Sequence, residues 1–257
     1  MPIYKGKSEI TSLADWEALG GPKSRDQWVP DRSAMEAARS WLHDGGKTFP
    51  YEVARILATH PDFGPTTSWR GEPEVKLPFD AFAGEPRNTD DLVIAQDSFG
   101  SYAMAVEAKA DEPFSATVAE TLVDAVERKM ENPRSNGVTR VEQLVMALLG
   151  PRKSGEPKIG ELRYQLLTAV AGVLCEAERR ETDRAILLVQ EFITRKTCDE
   201  KHRMNAADLN RFLGRLSHGT VSALGTQLIG PFLVPGSPLL SKQVRLYVGK
   251  VTKNLRQ

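Results

Sequence analysis

Asp91-Leu92-Val93-Ile94-Ala95-Gln96 and Ser101-Tyr102-Ala103-Met104-Ala105-Val106-Glu107-Ala108-Lys109-Ala110 flank the connector Asp97-Ser98-Phe99-Gly100. Both arms are β-like and the connector holds turn residues, so the stretch reads as a β-hairpin. Residues i and i+2 of a strand share a face, so Glu107 and Lys109 project together. With the turn centred on Phe99, Asp91 faces Glu107 directly, their Cβ atoms about 4.5–5.5 Å apart. Val93, Ala95, Ala103 and Ala105 then fall on that same face and leave room above it. Leu92, Ile94, Met104 and Val106 occupy the other face, which suits a packed core.

Working outward, the segment before residue 70 is helical. Asp31 or Ser33 caps a run carrying Met35, Ala38 and Leu42 that ends at Gly45-Gly46, and a shorter helix follows Pro50. Val75–Phe79 reads as a short strand that its proline confines to an edge. After the hairpin, Ser115 opens a helix with Glu120 in its second turn, outside the capping-box position. Another helix covers about 138–149, and the longest runs from about Gly160 to Arg180. Ala185–Ile193 is an apolar run of buried-strand length. A helix over about 203–217 and β candidates around 226–234 and 244–251 complete the chain. The reading is one α/β (α+β) domain over 1–257: a helical N-terminal segment over 1–70, a core over 74–217, and C-terminal strands with a basic tail over 220–257.

Composition narrows the class. Hydrophobic residues make up 40% and charged residues 26%, near globular averages, which argues against long disorder. No run of about 18 apolar residues occurs, so no membrane span is expected. The start, Met1-Pro2-Ile3-Tyr4-Lys5, lacks a signal-peptide layout, and Cys175 and Cys198 form no disulfide framework. These features predict a soluble cytoplasmic protein. The 34 Lys+Arg balance 34 Asp+Glu, so any nucleic-acid surface has to be local. Lys242, Arg245, Lys250, Lys253 and Arg256, with no acid among residues 242–257, are the candidate; a solvated strand and tail is the plainer reading.

Several motifs fail on inspection. Gly45-Gly46-Lys47-Thr48 resembles the end of a phosphate-binding loop, but Trp41 stands where the first glycine belongs and a helix precedes it. His43, His60, His202 and His218 have no zinc spacing. No G-x-S-x-G elbow exists, and Cys175 sits among Val173, Leu174 and Ala177 as a core thiol.

The cluster Asp91, Glu107 and Lys109 survives. Opposed carboxylates repel, so Lys109 or a divalent metal has to compensate them. Oxygen-only ligands suit Mg²⁺ or Mn²⁺. Beside such an ion, an ammonium can position or deprotonate water and stabilise a pentavalent phosphate. The chemistry that follows is metal-assisted phosphodiester hydrolysis. An exposed, solvated E-x-K strand face is the bland alternative, set against the apolar run Ala103–Val106 that leads into these charges.

Asp91…Glu107-Ala108-Lys109 on adjacent strands after an N-terminal helix resembles the PD-(D/E)xK, or restriction-endonuclease-like, superfamily. Val106–Phe114, Thr117-Val118-Ala119-Glu120 and Leu162-Arg163-Tyr164-Gln165-Leu166-Leu167 look like an uncharacterised bacterial family of that fold. The resemblance implies a mixed central sheet flanked by helices, with the acids at a sheet edge. It implies Asp91 and Glu107 as Mg²⁺ (or Mn²⁺) ligands and Lys109 as the catalytic lysine. It also implies Glu52 as an acid from the N-terminal helical segment and Gln165 as a supporting polar residue. Asp90 stands where the pattern has proline, and it replaces Asp91 if the hairpin register shifts by one. The implied function is a nuclease acting on DNA or RNA, with a homodimer as the usual form for duplex cleavage. A non-catalytic interaction protein on the same scaffold, or a hydrolase of small phosphate esters, is the alternative.

Overall fold

The computed structural model describes residues 3–22, 24, 27–82 and 88–256. A small ribbon of β1 (Tyr4–Lys5) and β2 (Ser8–Glu9) precedes α1 (Leu13–Gly20), α2 (Ser33–Trp41) and α3 (Tyr51–Leu57). Then come β3 (Ser68–Lys76), β4 (Asn88–Asp97) and β5 (Gly100–Lys109). The helical pair α4 (Val118–Glu131) and α5 (Gly137–Leu148) leads to α6 (Tyr164–Arg179). The chain closes with β6 (Arg184–Ile193), α7 (Asp199–Leu216), β7 (Ile229–Phe232) and β8 (Arg245–Asn254).

The strands β3 to β8 form one six-stranded mixed sheet in the order β3-β4-β5-β6-β8-β7. β3, β4 and β5 make an antiparallel meander, and α6 carries the chain over to β6, parallel to β5. β8 lies parallel to β6, and β7 is antiparallel to β8. The α/β fold class is as expected. Both faces of the sheet are covered. On one, α5, α6 and α7 pack Leu144, Leu166, Val170, Leu174 and Phe212 on Leu92, Ala103, Ala105, Leu187 and Leu246. On the other, α1, α2 and α3 pack Trp16, Trp41 and Val53 on Val93, Met104, Val106, Leu188 and Tyr247. Strands covered on both faces need continuous apolar runs, which is why Ala185–Val189 and Ala103–Val106 do not alternate.

Gly172, in α6, lets this helix approach the segment that follows β3. A Cβ there would stand 2.9 Å from Leu77 Cβ and 3.6 Å from the Leu77 carbonyl oxygen. Gly172→Ala is expected to cost about 1–3 kcal/mol despite its better helix propensity, because overpacking outweighs that gain. A lower urea midpoint at unchanged m-value checks it.

Four readings are corrected. The first strand of the large sheet begins at Ser68 and ends at Lys76, so Leu77-Pro78-Phe79 lie outside it; it is the edge strand, with Pro73 inside. The cap of α4 is Thr117, whose hydroxyl accepts from Glu120 N–H while the Glu120 carboxylate takes Thr117 N–H, a full capping box that places Glu120 at the third helical position. The acids stand at strand ends on interior strands, not at the lateral edge.

The fourth correction is the hairpin register. Asp97 pairs with Gly100, so the loop is the two residues Ser98-Phe99 and Asp91 pairs with Val106. Glu107 therefore shares a face with Ala103, Ala105, Leu92 and Ile94, and Asp91 lies on the opposite one with Val93, Met104 and Val106. At the closed end, Arg184 of β6 donates from Nη1 and Nη2 to the two Asp97 carboxylate oxygens at 2.9 and 2.8 Å. The same guanidinium bonds the carbonyls of Asp62 and Gly100 and lies 5.1 Å from the Phe63 ring centroid.

Candidate functional site

The strands β5 and β6 run parallel and end together, and α6 begins where they end. Its N-terminus is anchored by Arg163, which donates to Asp208 of α7 at 2.7 Å and to the Ser115 carbonyl at 2.9 Å. That fixes Gln165, in the first turn of α6, over the last residues of β5. Gln165 Nε2 donates to Glu107 at 3.0 Å, and Lys109 Nζ donates to Gln165 Oε1 at 3.2 Å. One side-chain amide thus joins the carboxylate and the ammonium. Glu107 is 0% exposed and Lys109 7%, with its ammonium 5.3 Å from the Phe114 ring centroid.

Continuing the hairpin register one step past its last pair sets Asp90 opposite Glu107, on the same face. The Asp90 carboxylate reaches β5 itself and accepts the Ala108 N–H at 2.7 Å. Asp90, Glu107, Lys109 and Gln165 are therefore the residues brought together. Asp91 is not among them: the register sets its side chain on the face opposite to that of Glu107.

Asp91 instead lines a cavity of about 210 Å³ beneath α1 and α2, together with Trp16, Glu74, Asp90, Lys109 and Glu112. It is 3% exposed and its Oδ2 has no hydrogen-bond partner. Burial holds the Asp91 carboxyl well above the usual carboxylate range; Asp90 and Glu74 add to the effect and Lys5 opposes it. An acid whose folded pKa is raised stabilises the fold below its unfolded value, about 3.9, and loses that contribution as pH rises through the folded value. Asp91→Asn is accordingly expected to be more stable than wild type in metal-free buffer. The gain should be absent near pH 4, grow with pH, and reach about 1–3 kcal/mol, the cost of an unsatisfied buried polar group. Melting curves across pH in EDTA check it.

Glu52 does not join the site. Its helix α3 packs on β8, two strands from β5, and its carboxylate lies 3.8 Å from Lys253 Nζ. The basic C-terminal residues are largely spoken for. Lys250 pairs with Glu191 at 2.9 Å, Arg245 with Asp183 at 2.8 Å and Arg256 with Asp199 at 2.6 Å. Lys242 is exposed beside Glu178, which accepts its backbone N–H. Acids absent from 242–257 arrive from β6, α3, α7 and the turn before β6, so the candidate nucleic-acid patch is mostly neutralised.

The sequence reading missed Glu191 and His202. Glu191 stands beside Lys109 in the parallel ladder and shares its face. Its carboxylate pairs with Lys250 and accepts from the Thr252 hydroxyl at 3.2 Å, and His202 Nδ1 lies 3.1 Å from it without a hydrogen bond. The signal was available, since Gln190-Glu191 closes the apolar run Ala185–Val189 just as Glu107-Ala108-Lys109 closes Ala103–Val106.

The oxygens around Asp90 and Glu107 belong to carboxylates, the Gln165 amide and the Thr89 hydroxyl, a hard-donor set that fits a divalent cation. Among the described residues, no three His, Cys, Asp or Glu side chains stand close enough together to cage a metal, so water would complete the shell. No described helix is long and apolar enough to cross a membrane.

A family model described as a domain of unknown function (DUF6946) matches residues 9–255, and the chain belongs to that family. No curated protein and no solved structure matches it.

Proposed function

We propose that the chain is a Mg²⁺-dependent nuclease of the PD-(D/E)xK type, hydrolysing phosphodiester bonds of DNA or RNA in the cytoplasm. One observation carries the reading: the Gln165 amide couples Glu107 to Lys109 at the end of β5, with Asp90 on the same face. Asp90 and Glu107 would hold the cation. Bound there, it supplies Lewis acidity to a phosphoryl oxygen and to water. Lys109 offsets negative charge as it builds on the phosphate, and its nearly complete burial makes that charge count for more than it would in water. Gln165 positions Lys109 and fixes the orientation of Glu107. Asp90 reaches the backbone of β5 and holds the two strand ends together.

A second reading, a non-catalytic interaction protein on the same scaffold, draws on the cavity lining. Glu74, Asp90, Asp91 and Glu112 face one ammonium, Lys109, and that balance repels a polyanion. Incubation of the protein with single- and double-stranded DNA and RNA in Mg²⁺ or Mn²⁺ separates the two. The nuclease reading requires cleavage that EDTA stops and that Glu107→Gln lacks; no cleavage of any of the four substrates favours the second.

A further inference from the structure

We infer a separate cation site on the α2 side of the sheet, in the 210 Å³ cavity, anchored on Asp91 and suited to Mg²⁺ or Mn²⁺. Asp91 is almost fully buried, yet its Oδ2 has no protein partner. Leaving a carboxylate oxygen desolvated and unpaired is costly, and native structures nearly always satisfy such atoms with protein, water or an ion. The surroundings name the missing partner. Asp90, Glu74 and Glu112 line the same space with one ammonium, Lys109, so the acids outnumber the cation and the space draws a further positive ligand. The lining offers oxygen donors and, among the described residues, no His or Cys, which selects a hard cation over zinc or copper.

The size of the space decides between a caged and a hydrated ion. With no three acidic side chains converging among the described residues, a fully protein-ligated ion such as Ca²⁺ in a carboxylate cage is not provided for. A volume of 210 Å³ admits several waters at about 30 Å³ each, the coordination that Mg²⁺ prefers to keep. Asp91 Oδ2 is then the direct protein ligand, and Glu74 and Asp90 accept hydrogen bonds from the ion's waters. Asp90 and Lys109 border both this cavity and the Glu107 site; the inference rests on Asp91, whose side chain the register sets on the face opposite to that of Glu107, and the variants below tell the two sites apart.

The test counts Mn²⁺ bound per chain by electron paramagnetic resonance of chelator-stripped protein titrated with MnCl₂. Wild type, Asp91→Asn, Glu74→Gln and Glu107→Gln are compared, with folding checked by circular dichroism. Asp91→Asn is isosteric and removes an unpaired charge, so it keeps the fold. Wild type should bind two ions if Glu107 also holds one, and one ion if it does not. In either case Asp91→Asn should lower the count by one, and Glu74→Gln should weaken the same site by about tenfold. Glu107→Gln should leave that site in place. A single ion lost in Glu107→Gln but kept in Asp91→Asn overturns the inference while upholding the Glu107 site. A wild type that binds no Mn²⁺ overturns both.

Discussion

Arg184→Met is expected to lose about 3–5 kcal/mol of stability, because it strands the buried Asp97 carboxylate. Both side chains are inaccessible to solvent, and the guanidinium also satisfies two backbone carbonyls, which the methionine leaves open. The pH dependence identifies the cause. Burial raises the Asp97 pKa, but hydrogen bonds from Arg184, Phe99 and Gly64 more than offset it, so its carboxyl titrates below the usual range. In wild type that contribution is present above the unfolded value, about 3.9, and is lost as pH falls through the folded value. In Arg184→Met the bare carboxylate is disfavoured instead. The deficit should therefore be greatest at neutral pH and shrink in acid, where Asp97 takes up a proton. Urea unfolding at pH 7 and pH 4 measures it, and an equal deficit at both would place the loss in packing against Phe63 and Tyr102.

The second large effect is on activity. Lys109→Ala is expected to reduce cleavage by about 10²–10⁴-fold, the range for removing a positioned group that handles charge or protons in the transition state. It leaves Asp90 and Glu107 in place, so added Mn²⁺ should still raise the melting temperature, as a ligand specific for the folded state does. Glu107→Gln should lose both the cleavage and its share of the Mn²⁺ shift. Metal-free Lys109→Ala should be less stable than wild type, because the ammonium no longer offsets its acidic neighbours. Full activity in Lys109→Ala would remove the lysine from the reaction, whatever the metal does.

Much of this site could be read from sequence, and the failure was specific. Turn chemistry and apolar runs located both hairpin strands, and the Glu107-Ala108-Lys109 spacing placed carboxylate and ammonium on one face. Gln165 was found by resemblance, and it bonds both. The register was missed because Leu92-Val93-Ile94-Ala95 and Ala103-Met104-Ala105-Val106 are apolar at every position. A strand buried on both faces carries no alternation to say which face is which, so only the turn length decides. Asp97-Ser98-Phe99-Gly100 allows a loop centred on Phe99 or one of two residues, and the fold uses the second. Glu52 was misplaced for another reason. Helix order along the chain does not say which strand a helix covers, and Ile56 on α3 packs where Gly249 of β8 leaves room.

The adjacent aspartates have a consequence for how this protein can change over generations. An insertion or deletion in the Ser98-Phe99 loop slides β4 past β5 by one residue and turns its side chains over. In most hairpins that error destroys the site at once. Here the apolar run fits either setting, and a slip in the direction that brings Asp91 opposite Glu107 keeps a carboxylate there at the expense of the Asp97–Arg184 pair, whereas the opposite slip brings Thr89. Descendants with different loop lengths could keep the same chemistry under a different residue number. In an alignment of such descendants, the acid would look unfixed while the site it serves stayed the same.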